Sequence, residues 1–411
     1  MELTASCLFG TEGLVADELR YMGFGGVEAA TGQVRFEGGP AEIVKPIAAA
    51  YTKRGARKFD YDFFTSLYGR PVEVAVVPYK KVPGMKEREL VVKNNTNGNR
   101  IGFDLGASDF KISALKEGKV VFSKEFPWDP RPQTDPEYHY QKLSAGLEAA
   151  AKALRGKVDA IGGSSAGTFV GKKLGVASLI RGVKEKNPSK YEVAQNIFAR
   201  VEEEWQCPFE VFNDGDVTAL AGAIAMKKTG ILGLAMGSSE AVGFINSKGA
   251  ITGRITELAF APADINPNAP CDEWSGDAGV GSMYFSQQAV NYLAGCYGFK
   301  FSAKMGLPDR LKVVQAAMEK GDERALKVYL MIGRYLANAT AWYREFYDFQ
   351  NLMVLGRVTS GFGGEILLNT ARMGLEALDP ALAEEIDIFM PDEKTRRLGQ
   401  SVAAAQIPVV K

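Results

Sequence analysis

Phe209-Glu210-Val211-Phe212-Asn213-Asp214-Gly215-Asp216-Val217-Thr218-Ala219-Leu220-Ala221-Gly222 is the stretch whose reading decides the fold. An apolar strand ends in Asn-Asp, and a helix of small residues begins at once. Asp214 then stands at a helix N-terminus, where the dipole favours the ionised carboxylate. Such a carboxylate can accept a hydroxyl proton while that oxygen attacks phosphorus. Asn213 offers a donor and an acceptor to neighbouring hydroxyls. The alternative reading of the same residues is a plain helix cap by Asp214 or Asp216.

Three further turns suit phosphate. Phe103-Asp104-Leu105-Gly106-Ala107-Ser108-Asp109-Phe110-Lys111 delivers a carboxylate on a strand and then turns tightly on small residues. Small residues let backbone N–H groups approach an anion. Asp104 beside phosphates makes sense as a partner of Mg²⁺-bound water. Ala235-Met236-Gly237-Ser238-Ser239-Glu240-Ala241 ends a buried strand with two hydroxyls. Val354-Leu355-Gly356-Arg357-Val358-Thr359-Ser360-Gly361-Phe362-Gly363-Gly364 runs into a helix N-terminus, a setting for nucleotide phosphate or ribose. Each has an ordinary β-turn or hairpin as its alternative. No Gly-x-Gly-x-x-Gly occurs, so a dinucleotide fold gains no support.

The chain has 411 residues, long enough for two or three domains. Lys plus Arg and Asp plus Glu number 49 each. The balance leaves no global basic field for nucleic acid or an anionic membrane. No apolar run reaches the roughly 20 residues of a membrane helix, and the N-terminus lacks signal-peptide character. A cytoplasmic protein with free buried thiols at Cys7, Cys207, Cys271 and Cys296 is expected. His139 is the sole histidine, so a carboxylate is the expected proton acceptor.

Residues 1–55 read as a small α/β segment, with strands at Leu3–Leu8 and Gln33–Phe36 and helices at Glu12–Met22 and Pro40–Tyr51. Residues 56–97 read as a connector with one strand, Val72–Val77. The polar run Lys93-Asn94-Asn95-Thr96-Asn97-Gly98-Asn99 marks the main boundary. Residues 98–222 and 223–411 then read as two lobes with similar strand–turn–strand beginnings.

In this order the motifs resemble the actin-like ATPase superfamily, and within it the ROK family of sugar kinases and repressors. Asp104-Leu105-Gly106-Ala107-Ser108 is similar to the family's Asp-Ile-Gly-Gly-Thr. Gly162-Gly163-Ser164-Ser165-Ala166-Gly167 is similar to its Gly-Ile-Ser-x-Pro-Gly segment beside the sugar. Asn213-Asp214 matches Glu-Asn-Asp-Ala-Asn. Gly237-Ser238-Ser239 stands for Gly-Thr-Gly, and Leu355-Gly356-Arg357-Val358 for Gly-Gly-Gly-Val. The resemblance implies an α/β, two-lobed actin-like ATPase (ribonuclease H-like) fold behind a small α+β N-terminal region.

It also implies roles. Asp214 is the general base. ATP with Mg²⁺ is held by Asp104, Gly106, Ala107, Ser108, Lys111, Gly237, Ser238, Ser239, Gly356 and Arg357. A sugar or polyol is held by Ser164, Ser165, Asn213 and Glu257. Asp104 meets magnesium through water. The family's Gly-Glu-x-Gly-His is replaced by Thr256-Glu257-Leu258-Ala259-Phe260. Its zinc cysteines are missing around Asp272–Gly281, so no structural zinc is expected. A homodimer is common among such relatives. A second reading is a non-catalytic sugar- or nucleotide-binding regulator. Residues 3–19 and 32–38 resemble the start of large-subunit rRNA guanine methyltransferases. No methyl-donor or catalytic motif follows, so methyl transfer is not expected; RNA binding through residues 1–55 is a third, weaker reading.

Overall fold

Asn99–Leu105 carries Ile101, Phe103 and Leu105 on alternate positions, and from Arg100 onward every residue is buried. Burial on both faces marks a central strand covered by other layers on either side. The computed structural model around it describes residues 2–6, 12–31, 33–84, 89–92, 95–106, 110–266, 268–391 and 399–410. The chain divides into two units, Met1–Met85 and Lys86–Lys411.

The first unit holds strands β1 (Glu2–Ser6), β2 (Gly25–Ala30) and β3 (Gln33–Glu37), in the antiparallel order β1-β3-β2. Helix α1 (Glu12–Tyr21) crosses between β1 and β2, and α2 (Pro40–Ala50) and α3 (Lys58–Tyr68) follow. Ala16, Leu19, Val34 and Phe36 form its small core. Helix α3 lies within the expected connector; its aromatic residues, poor helix formers singly, hide it from propensity. The expected strand Val72–Val77 joins no sheet among the described residues. The run lies between Pro71 and Pro78, and Val76 and Val77 are exposed.

The second unit has two sheets built on one plan. Its strands are β4 (Leu90–Val91), β5 (Asn99–Leu105), β6 (Phe110–Lys116), β7 (Lys119–Phe126), β8 (Ala160–Ser165), β9 (Phe169–Val170), β10 (Lys173–Leu174), β11 (Phe209–Asn213), β12 (Ile231–Met236), β13 (Glu240–Ile245), β14 (Ala250–Ile251), β15 (Asn351–Leu355) and β16 (Asp387–Phe389). The first sheet runs β11-β8-β5-β6-β7, the second β16-β15-β12-β13-β14-β4. In each, three parallel strands continue into antiparallel neighbours. This repeated plan is the two-lobed actin-like architecture. The short β4 pairs with β14, so the end of the expected connector belongs to the second sheet.

The helices of this unit are α4 (Pro136–Ala153), α5 (Arg181–Lys186), α6 (Tyr191–Gln195), α7 (Ile197–Trp205), α8 (Asp214–Met226), α9 (Gln287–Cys296), α10 (Leu307–Glu319), α11 (Glu323–Arg344), α12 (Phe362–Leu378), α13 (Pro380–Glu385) and α14 (Gln400–Ala404). Two of them lie between the sheets. Helix α14 packs on β5 and β8, and α8 packs on α14, β12 and β13. Glycine permits both approaches. A Cβ at Gly102 would sit 1.7 Å from the Ser401 carbonyl oxygen, and one at Gly162 1.7 Å from that of Ala404. Arg100 fixes the end of this layer. Its buried guanidinium donates to the carbonyls of Asn97 (2.8 Å), Ala405 (3.1 Å) and Pro408 (2.8 Å).

Outside the sheets, Phe103, Phe198 and Phe209 stack together under α7. His139 is buried here, bonded to the Leu179 carbonyl at 2.8 Å, a structural position. The expectation of buried thiols fails for Cys271 and Cys296, which are exposed, while Cys207 is half-buried. Cys7 lies outside the described residues. Among the described residues no helix is long and apolar enough to cross a membrane.

Gly102→Ala and Gly162→Ala should each destabilise the chain by about 1–3 kcal/mol or more in urea unfolding, because the added methyl displaces backbone. Gly295→Ala, where a Cβ meets nothing within 4 Å, should change stability little.

Candidate functional site

Strands β5, β8 and β11 run parallel, so their C-terminal ends form one edge. Asp104 lies opposite Ser164, and Ser165 opposite Asn213. Two strand spacings separate Asp104 from the β11 end, roughly 10 Å. The Ser164 hydroxyl donates to Asp104 Oδ1 at 2.7 Å, and both residues are buried. Ser165 is also buried, with its hydroxyl toward the Ala166 carbonyl (3.3 Å).

Asn213 is the N-cap of α8. Its Oδ1 accepts from the Gly215 N–H (2.7 Å), and its Nδ2 donates to the Gly167 carbonyl (2.9 Å). Asp214 Oδ1 accepts from the same Gly215 N–H at 3.0 Å. Asp216 reaches the other way. Its Oδ1 accepts from the Phe244 N–H (3.1 Å) on β13. The cap alternative therefore falls on Asn213, and Asp216 ties α8 to the second sheet.

Glu257 enters from the chain after β14, half-buried at the start of a short 3-10 turn, Leu258–Phe260. Burial, then the nearby Asp214, pushes its carboxyl up to about 7. Burial also raises Asp214, partly offset by the Gly215 N–H bond. The helix dipole was expected to hold Asp214 ionised; loss of water outweighs it. Asp216 is pushed up to about 7 by burial, with Asp214 and Glu257 adding to the rise against the Phe244 bond. Three acids thus share one partly dry region where the sheets meet.

On the second sheet, β12 and β15 end side by side, Ala235 opposite Leu355. The Gly237 N–H donates to the Ser239 carbonyl (3.0 Å), and the Gly237 carbonyl accepts from the Gln287 N–H (2.9 Å). Ser238 and Ser239 are exposed. Gly356 has φ +105, and a Cβ there would lie 2.4 Å from the Met236 carbonyl oxygen. Only glycine lets these two turns touch. Arg357 is exposed, and its carbonyl accepts from Gln315 Nε2 (2.9 Å).

In the first turn, the Gly106 carbonyl accepts from Trp128 Nε1 at 2.8 Å. Lys111 is exposed and pairs across from Asp104 in the β5–β6 ladder. Ala107 and Ser108 lie outside the described residues. The backbone carries together Asp104 with Ser164, Asn213 with Asp214, Asp214 with Glu257, and Gly237 with Gly356. The tie from Asp216 to β13 and the Trp128 brace are absent from the sequence reading, since both depend on partners distant in the chain.

The segment after Glu257 is held by bridges of Pro262 to Val280 and Cys271 to Ala278. Buried Asp272 accepts from the N–H groups of Trp274 (3.0 Å) and Ser275 (2.8 Å) and from the Ser282 hydroxyl (3.1 Å). Phe260 and Trp274 meet edge to face, centroids 5.2 Å apart.

Solved structures share the fold of the second unit. A ROK hexokinase from Thermus thermophilus superposes with TM-score 0.58 at 18% identity, covering 75% of this chain and 97% of that one. A ROK glucokinase from Streptomyces griseus, in complex with glucose and AMPPNP, gives 0.54 at 18% identity, covering 76% and 99%. A ROK-family transcriptional regulator, a homolog of the E. coli MLC protein, gives 0.59 at 16% identity, covering 76% and 79%. The fold is that of ROK proteins. Residues 2–47 separately match the family model described as the RlmL ferredoxin-like domain. No curated protein matches the sequence. ROK kinases and a ROK regulator share the fold alike, so the chemistry rests on the side chains.

Asp214→Asn should lower the Glu257 midpoint from about 7 toward the ordinary glutamate value, because a neighbouring negative charge is removed. Carboxyl-carbon NMR titration reads this without any activity.

Proposed function

We propose that this chain transfers the terminal phosphoryl group of ATP to a hydroxyl of a sugar or sugar-like polyol. The observation that carries it is the meeting of Asp214, which opens α8 at the end of β11, with Glu257, from the chain after β14. Asp214 accepts the proton of the hydroxyl whose oxygen takes the phosphoryl group. Its raised pKa suits that work, since a base nearer neutrality holds a proton better. Glu257, Asn213 and Ser165 orient neighbouring hydroxyls.

Gly106, Ala107 and Ser108, and the turn at Gly237, Ser238 and Ser239, would supply N–H and hydroxyl donors for phosphates, together with Lys111. Gly356 and Arg357 flank the nucleoside. Asp104 is a buried carboxylate held by Ser164, which suits a residue that must face a hydrated cation without turning away. Asp104 would hold Mg²⁺ through water, and the ion would offset phosphate charge. Ser164 then acts through Asp104 as a positioning residue.

The second reading is a sensor that binds sugar or nucleotide without turnover, supported by the equal likeness to a ROK regulator. Calorimetry with ATP and sugars, beside a coupled ADP assay, separates the two. Binding without ADP release favours the sensor.

ADP release should appear with at least one member of a panel of hexoses, N-acetyl sugars and polyols. Asp214→Asn should lower kcat by a factor of roughly 100 to 10,000. Near-normal turnover in that variant removes Asp214 as the base. The rate should climb with pH as Asp214 ionises, with its acid limb above the ordinary aspartate range.

A further inference from the structure

Glu240 follows the Gly237-Ser238-Ser239 turn and opens β13 opposite Met236. It is 5% exposed, and neither carboxylate oxygen has a partner at full hydrogen-bond geometry, although the Tyr343 hydroxyl, likewise without one, is near enough to act on it. A buried charge without donors is costly, and such a group keeps its proton instead. A second observation gives the acid a neighbour. A Cβ on Gly281 would lie 2.1 Å from Glu240 Oε2 and 2.4 Å from the Leu258 carbonyl oxygen. Both oxygens therefore line the space over one glycine. A proton on the carboxyl lets it donate to an acceptor that would repel the carboxylate. Leu258 directly follows Glu257, so the pair spans the phosphate-type turn and the substrate-side carboxylate.

We propose that Glu240 is a positioning residue that works as the neutral acid, its O–H donating to the Leu258 carbonyl and locking the 237–239 turn to the Glu257 segment. Burial pushes this carboxyl up to about 8. Tyr343 on α11 is the titratable group facing it; the tyrosine hydroxyl favours the ionised form but is outweighed by burial. Asp216 and Glu257, on elements packed against β13, do not contribute to the shift. Met236 and Gly281 bring no charge.

The sign of the pH effect follows. The folded chain holds a proton on Glu240 that the unfolded chain releases near the ordinary glutamate pKa. Stability from this group is complete below that value and is lost as pH rises through about 8. An ionised Glu240 would also repel both the Leu258 carbonyl and any phosphate at Ser238 and Ser239. The catalytic consequence rests on the kinase reading; the hydrogen bond does not.

The test uses the full chain as wild type, Glu240→Gln and Glu240→Met. Thermal unfolding and ADP release are followed from about pH 6 to about pH 9. The amide of Glu240→Gln donates at every pH. That variant should keep wild-type turnover at neutral pH, and its Tm and turnover should fall less than wild type's on the alkaline side. Glu240→Met should bind ATP more weakly at every pH. A Glu240→Gln chain whose Tm tracks wild type across the range overturns the proposal. So does a Glu240→Met chain with wild-type affinity and turnover. If the Tm difference appears and no chain releases ADP, the acid link stands and the kinase reading falls.

Discussion

The site depends on one backbone contact, the N-terminus of α8 lying against β13. A Cβ on Gly215 would lie 2.3 Å from the Val242 carbonyl oxygen, and one on Gly243 2.0 Å from that of Gly215. No side chain fits at either position, so helix and strand meet main chain to main chain. The Asp216 carboxylate then bonds the Phe244 N–H across the seam. Gln400 on α14 grips the other flank of α8 through the Asp214 carbonyl (3.2 Å) and the Thr218 hydroxyl. Asp214 is thereby fixed where the sheets meet. Glu257, from the chain after β14, is the acid near enough to raise and be raised by it.

The electrostatics follow from that placement. Asp214, Asp216, Glu240 and Glu257 are all raised by burial. Such a region is poorly suited to an anionic acceptor, because each added negative charge meets carboxylates already short of water. Neutral hydroxyls are better partners, since each can donate to a carboxylate and relieve it. Under the kinase reading proposed above, a polyol rather than a sugar acid fits this balance.

Much of this was legible in the sequence, for identifiable reasons. A strand buried on both faces such as β12 leaves an unbroken apolar run, and Gly237-Ser238-Ser239 after it marks a turn. Asn213-Asp214 stood out because a strand passes into a small-residue helix without a loop. Other features were hidden. Helix α3 escaped because aromatic residues have weak helix propensity and its fold depends on packing. Val72–Val77 has β-type residues but no ladder partner, and composition cannot report pairing. The rise in the Asp214 pKa was also hidden, because the dipole is local to α8 whereas burial depends on the folded surroundings. The bond from Ser164 to Asp104 joins residues 60 positions apart, which no local pattern reports.

The measurement that bears most directly on the convergence of these turns is a crystal structure of the chain with a non-hydrolysable ATP analogue. The phosphates should lie against Gly237-Ser238-Ser239, the nucleoside beside Gly356 and Arg357, and the terminal phosphate should point toward Asp214. Nucleotide bound away from these turns, or a terminal phosphate directed away from Asp214, would contradict the phosphotransfer site described above.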